Sequence, residues 1–368
     1  MPRHPVVYRR QPPLKPRRVI CILPCCIGDV VMSTAALTAI RRRYPQAHIT
    51  YAVGQWSRPV LEGHPAIDAL LDLADTADPV ATAADFWRFV RTMREGQYDL
   101  AVSWVRSWRM GAALWAAGIP YRAGLDSAGR GFGYNIRAPI LPHEARHEVE
   151  IFLDVAAALG ADADTVYPNV YIHNEMTSDM MRFLTDRRIV GRFIVVNPSG
   201  GQNPGANMPS KQYPPAKLAA LINRLTSLLN ISHVVVVTGP GDGRLSGELA
   251  LRVHPAEVTS FVGELTFPQI GALAQLARVY IGNDTGLTHY AAATGATTVM
   301  ILGPTDPKRY APYSPGALAV WKPSPVKAEG ASAGVPEGWN WNDHGIDPLE
   351  AAGQIANYVG NSGFFRIE

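Results

Sequence analysis

The chain has 368 residues, of which 47% are hydrophobic and 18% charged, with a formal net charge of +3. That length is too great for one ordinary core and suits two domains, and the apolar content excludes a disordered chain. So small a net charge, with no basic stripe interleaved with aromatics in any expected helix, argues against nucleic acid as a partner.

In chain order, the first residues are basic and proline-rich, which predicts an extended, mobile tail over 1–17. With Arg41, Arg42 and Arg43 it could attract anionic lipid headgroups in a peripheral membrane contact. Solvated cations at a helix C-terminus are the simpler alternative. No apolar run reaches membrane-spanning length and the first residues lack a signal-peptide core, so a cytoplasmic location is expected. Cys21, Cys25 and Cys26 crowd into one strand and the turn after it, with no His or further Cys at metal-ligand spacing; reduced thiols and no bound metal are expected.

Strand-like and helix-like runs then alternate twice. The first half reads strand 19–23, helix 30–43, strand 48–53, a helix near 58–63, strand 69–73, helix 85–95 and strand 100–104. Residues 167–172 lead into an amphipathic helix at about 175–188, where the linker falls. The second half reads strand 193–197, helix 215–229, strand 234–238, helices 245–253 and 267–277, strand 279–281, helix 287–294 and strand 297–302. Asp347 before Pro348 caps a last helix, and 327–338 is a small-residue surface loop. The expected domains are 18–175 and 176–345, followed by a terminal helix within 346–368, and two parallel α/β units follow from the rhythm.

Three segments carry the chemistry. Val279 to Ala293 contains Asn283-Asp284-Thr285-Gly286 and His289, an apolar strand breaking at a turn and resuming as a small-residue helix; such a turn offers free N–H groups and a positive dipole end to a nucleotide's phosphates. Taken alone it is equally an N-capped helix. Near the start stand Gly28 and Asp29 after an apolar run, and in mid-chain Asn197-Pro198-Ser199-Gly200-Gly201, followed by Pro209-Ser210-Lys211. In order and spacing, from about Arg18 to about Pro312, these segments resemble the heptosyltransferases, glycosyltransferase family nine.

The resemblance implies the GT-B architecture, two Rossmann-like domains facing each other across a cleft, with ligands beyond the carboxyl ends of the strands. It implies an inverting transfer of a sugar, such as a heptose from ADP-heptose, to a saccharide or glycolipid acceptor such as a lipopolysaccharide core, without a cofactor or metal. Asp29 then resembles the general base that takes the acceptor hydroxyl's proton, a task suited to a partly buried carboxylate; its simpler reading is a helix N-cap. Ser199, Gly200, Lys211, Asp284, Thr285, Gly286 and His289 resemble the donor-binding groups, with Lys211 as a point charge on phosphate; a surface lysine is the plain alternative. The family's ribose-binding acid is matched to Asp242 in the glycine loop 239–244, with Glu248 left open. The acceptor is expected at Gly28, Trp104, Arg106 and Arg109, where stacking surfaces and charges follow a strand, although tryptophans there are as often packing. His147 and Glu148 open a helix without an assigned step.

Other readings fit less well. Asp-Thr-Gly also marks aspartic proteases, which need a second such triplet and an all-β fold. A nicotinamide-dependent dehydrogenase needs G-x-G-x-x-G where Cys25-Cys26-Ile27-Gly28 stands. Asp162-Ala163-Asp164 has the letters of a metal motif but falls in a loop. A nucleotide-sugar-binding protein without catalysis is the non-enzymatic alternative.

Overall fold

The computed structural model of the chain describes residues 6–361 except 75, 77, 142–144, 204–205 and 325–337. It divides into two compact units, 1–171 and 172–368, so the division comes a few residues ahead of the expected boundary and the last helix belongs to the second unit. The expected loop at 327–338 lies almost wholly outside the described residues.

The first unit contains strands β1 (Val7–Tyr8), β2 (Arg18–Ile22), β3 (His48–Val53), β4 (Ala69–Asp72), β5 (Leu100–Ser103), β6 (Tyr121–Ser127) and β7 (Ile136–Ile140), in the sheet order β1-β7-β6-β5-β2-β3-β4. All pairings are parallel except that of β1 with β7. Helices α1 (Ile27–Arg43), α2 (Ala83–Glu95), α3 (Trp108–Ala116) and α4 (Glu148–Ala158) cover it. On one face Ile20, Ile22 and Ala101 meet Phe89, Val90 and Met93 of α2 and Met110, Ala113 and Leu114 of α3, while α1 packs against α4.

The tail departs from expectation. Val7 and Tyr8 pair with Arg137 and Ile136, Tyr8 donates to the Ala158 carbonyl, and the amides of Arg17 and Arg18 donate to Asp99 Oδ2 at 2.7 and 2.9 Å. A short apolar pair inside the basic run completes a sheet edge, so residues 6–18 are part of the unit. Met1–Pro5 lie outside the described residues.

The second unit opens with helix α5 (Asn174–Asp186) and strand β8 (Phe193–Asn197). A small hairpin follows, β9 (Gln202–Asn203) against β10 (Ala206–Asn207), and then α6 (Pro215–Leu229), β11 (His233–Thr238), α7 (Gly243–Ala250), β12 (Glu257–Val262) and α8 (Phe267–Leu276). The chain continues through β13 (Tyr280–Asn283), α9 (Gly286–Ala293), β14 (Thr298–Ile301), α10 (Pro307–Tyr310), β15 (Ala317–Val320) and α11 (Pro348–Asn361). The main sheet runs β12-β11-β8-β13-β14-β15, all parallel. Ile194 and Val196 face α6 and α11, whereas Val195 between them faces α5 and α8, the two-residue alternation of a strand buried on both sides.

Both sheets share one order. Counted from the central β2 or β8, the strands read third, second, first, fourth, fifth, sixth, the doubly wound Rossmann arrangement. The order reverses between β2 and β5 in the first unit and between β8 and β13 in the second, so the turns after those strands are where ligands of such folds sit. No helix among the described residues is long and apolar enough to cross a membrane.

Candidate active site

In the second unit the turns after β8 and β13 are fastened together by Asn283, the last residue of β13 and 1% exposed. Its Nδ2 donates to the carbonyls of Pro198 and Ser199 at 2.9 and 3.0 Å, and its Oδ1 accepts from the Tyr213 amide at 3.1 Å. One side chain therefore holds the Asn-Pro-Ser-Gly loop, the Lys211 segment and the Asp-Thr-Gly turn in register. Sequence reasoning passed over it; an amide at the end of an otherwise apolar strand was the available signal. Gly200 lies close by, where a Cβ would come 3.3 Å from that of Asn283, and Gly201, at φ +77°, would put one 2.1 Å from the Met208 carbonyl oxygen. The loop has no room for a side chain at Gly201, and one at Gly200 would crowd Asn283.

Lys211 is not a surface lysine. It closes a short 3-10 turn, Pro209–Lys211, and its Nζ lies 2.7 Å from Asp284 Oδ2 with both side chains largely buried. Thr305 Oγ donates to the same carboxylate oxygen at 2.7 Å. Burial works to raise the Asp284 pKa, but the Lys211 ammonium, the Thr305 hydroxyl and, to a lesser degree, His289 outweigh it and hold the carboxyl below its usual range. Thr285 is the N-cap of α9, accepting from the Thr288 amide at 3.4 Å, so its hydroxyl serves the helix end. The amides of Gly286 and Leu287 fall in the first turn, where backbone donors lack helical acceptors. His289 is buried on that helix.

Asp242 stands at the N-cap position of α7 beyond β11, half-buried and accepting no capping bond. Glu248 lies further along the helix, 3.5 Å from Arg244 Nη1. Among the described residues, no hydrogen-bond partner meets Asn197 Oδ1, Ser199 Oγ or Thr238 Oγ1, three buried atoms at the carboxyl ends of β8 and β11. Buried polar atoms of this kind ordinarily find partners, and a ligand rich in hydroxyls and phosphate oxygens fits them.

In the first unit α1 begins earlier than the sequence rhythm suggests. Cys26 is its N-cap, so Gly28 and Asp29 lie inside the first turn and Asp29 is not the cap. A carboxylate there is favoured by the helix dipole. Beneath it Tyr51 shares a 2.6 Å hydrogen bond with Ser33, and burial, with a smaller contribution from Asp29, keeps the phenol protonated. Cys25 and Cys26 are joined by a disulfide, contrary to the expectation of free thiols; Cys21 alone is free, and burial pushes its thiol up to about 12 against a smaller opposing pull from Arg41.

The expected acceptor residues do not come together as a group. Trp104 is 2% exposed, stacked on Tyr51 with its indole N–H donated to the Phe152 carbonyl, so it is core and offers no face to a sugar. β5 ends at Ser103, one residue short of the expected strand, and Trp104 packs inward just beyond it. Arg106 bridges Glu148, with Nη2 2.5 Å from Oε2 and Nη1 3.4 Å from Oε1, and thereby neutralises a carboxylate that is almost fully buried. Arg109 is exposed, 3.9 Å from Asp78 and over the Trp108 ring. Asp162 accepts from the Asp164 amide in an exposed loop, as expected of a solvated turn.

The family model for glycosyltransferase family 9 (heptosyltransferase) matches residues 86–333. The chain belongs to glycosyltransferase family 9. Lipopolysaccharide heptosyltransferase 3 of Escherichia coli is 25% identical over 80% of this chain and 86% of its own, and lipopolysaccharide heptosyltransferase 2 of Salmonella typhimurium 25% identical over 82% and 87%. Among solved structures, E. coli ADP-heptose lipopolysaccharide heptosyltransferase II superposes with a TM-score of 0.71 at 22% identity, covering 92% of this chain and 98% of that one. E. coli heptosyltransferase WaaC with ADP-2-deoxy-2-fluoro heptose gives 0.62 at 20% identity over 83% and 93%. Those likenesses carry the GT-B fold, and membership of family 9 makes the chain a glycosyltransferase.

Proposed function

We propose that this family 9 enzyme transfers a heptose, with inversion, from ADP-heptose to a saccharide of a lipopolysaccharide core at the cytoplasmic face of the membrane. The relatives named for that activity support the substrate class. The observation that carries the reading is the fastening of three donor-side segments by Asn283 at the point where the strand order reverses.

In this mechanism the Asp29 carboxylate accepts the proton of the acceptor hydroxyl as that oxygen attacks the anomeric carbon from the face opposite the leaving group. The bond from the anomeric carbon to the diphosphate oxygen breaks, and its electron pair leaves with the diphosphate. Charge growing there is met by donors fixed in advance: the amides at the start of α9, Ser199, Lys211 and His289, with Asp242 holding ribose hydroxyls. An ammonium has three N–H groups, so Lys211 can keep Asp284 and still donate to a phosphate. Its ion pair holds it in place without a metal ion.

The test is to incubate the purified protein with ADP-heptose and a heptose-terminated core acceptor, measuring ADP release and product mass alongside thermal shifts with ADP, UDP and NAD. Transfer together with stabilisation by ADP is expected, since a ligand that binds only the folded state raises its stability. Stabilisation without transfer or hydrolysis would leave a nucleotide-sugar-binding protein, and stabilisation by NAD alone would favour a dehydrogenase.

A further inference from the structure

The outer face of the helix pair α2 and α3 carries tryptophans that the transfer reaction does not use. Trp87 on α2 and Trp108 and Trp115 on α3 are 60%, 50% and 66% exposed. Positions 87, 91 and 94 fall on one stripe of α2, and 108, 112 and 115 on one stripe of α3, by the spacing of a helical face. The opposite faces of both helices are spent on the core through Phe89, Val90, Met93, Met110, Ala113 and Leu114. The two helices are neighbours, joined at their C-terminal ends by Arg94 Nη2 donating to the Ala116 carbonyl at 2.7 Å.

The docked tail brings further cations to the same ends. Arg18 Nε donates to the Gly96 carbonyl just past α2 at 2.8 Å, and Arg10 Nη1 donates to the Pro120 carbonyl beyond α3 at 3.2 Å while its guanidinium lies 4.2 Å from the Tyr121 ring centroid. Leu14 between them is 77% exposed, beside Lys15 and Arg17. The tail adds Arg9, Arg10, Lys15, Arg17 and Arg18 to Arg88, Arg91, Arg94 and Arg109 of the helices. Four carboxylates, Asp78, Asp85, Glu95 and Asp99, offset fewer than half of them, and Asp99 is occupied by backbone amides.

We infer that this face rests on an anionic lipid bilayer, with the indoles at headgroup depth and the arginines on lipid phosphates. The composition selects this occupant. Among the described residues no large aliphatic side chain is exposed on α2 or α3, so the bulky apolar surface offered there is indole. Contrary to the expectation of no basic stripe among aromatics in the helices, α2 and α3 expose indoles interleaved with guanidinium groups, and these match a headgroup layer that is apolar on one side and charged on the other. Positive excess gathered by the tail matches the negative surface potential of anionic lipid. The surface is therefore an addition to the catalytic reading and is measured without donor or acceptor.

The test is flotation of the full chain with vesicles of phosphatidylcholine alone and of phosphatidylcholine mixed with phosphatidylglycerol. Binding to the mixed vesicles, weakened by salt, is expected, and replacing both Trp87→Ser and Trp115→Ser should reduce it about tenfold or more. Trp56→Ser, which removes another exposed indole outside this helix pair, should leave it unchanged. Quenching of wild-type tryptophan fluorescence by brominated lipid supplies a readout that needs no variant. Failure of the wild type to float, equal flotation of the double variant, or concentration-dependent self-association abolished by the double variant without vesicle binding would each overturn the inference. Transfer activity retained in those outcomes would leave the proposed function standing.

Discussion

The two units share a strand order, yet they treat the turns at the reversal point differently. In the second unit one buried amide ties three segments together and a buried ion pair fixes Lys211 beside them. In the first unit Asp29 sits in the opening turn of α1, while Trp104, Arg106 and Arg109 go separately to the core, to Glu148 and to the surface. The contrast suits a transferase. A leaving diphosphate is the same in every turnover and rewards donors set rigidly beforehand, whereas an acceptor side needs a base in place and leaves recognition to more variable loops.

The largest expected effect separates the two units by chemistry. Asp29→Asn should lower kcat about 10²- to 10⁴-fold, the usual contribution of a positioned base, with ADP affinity unchanged. Turnover close to wild type, followed by ADP release, would remove Asp29 from that role and leave the first unit without a base.

Next comes the ion pair. Lys211→Met leaves Asp284 buried without its cation and should destabilise the protein by about 3 kcal/mol, read by urea denaturation. The pH dependence should also change. In the wild type the depressed Asp284 carboxyl contributes stability that is present above its unfolded-state pKa and is lost as pH falls through the folded value. Without Lys211 the burial effect is largely unopposed and raises that pKa, so mild acid should recover part of the lost stability. A variant as stable as wild type, with an unchanged acid limb, would show that the second unit does not depend on the pair.

A smaller effect belongs to Arg109→Ala, whose exposed contact predicts a stability change within about 0.5 kcal/mol. If Arg109 recognises acceptor, KM for the acceptor should rise with KM for ADP-heptose unchanged; an unchanged acceptor KM removes it from that side. The smallest expectation is no effect at all: transfer should persist in excess EDTA, because the proposed charge stabilisation is supplied by Lys211, His289 and helix-start amides. Loss on chelation with recovery on adding Mg²⁺ would assign that stabilisation to a metal.

Much of this was legible in the residues, for reasons that differ by element. The long apolar strands 193–197 and 234–238 announced a parallel sheet because burial on both faces leaves no polar alternation. The strand at 257–262 did not, since at the sheet edge its residues are only partly buried and its Glu, Thr and Ser dilute the pattern. Strands 121–127 and 136–140 were similarly masked by Gly124, Asp126 and Pro139. Gly28 and Asp29 look like turn residues, so the sequence rhythm starts α1 at 30, a signal overridden by the cap at Cys26. At the site, the family resemblance grouped Lys211 with Asp284 on the donor side, but that they bond each other depends on fold distances no spacing encodes. Trp104 and Arg106 show the same limit, because a tryptophan and an arginine after a strand read identically whether they face solvent or core.

Asn283 also has a consequence for motion. A side chain that holds the backbone of three segments couples their fluctuations: the loop after β8 hangs on its Nδ2 and the Tyr213 amide on its Oδ1, so a rotation of Asn283 releases both together. Hydrogen exchange at Tyr213 therefore reports opening of the whole donor side, and a diphosphate that closes it should slow that single amide in step with its occupancy.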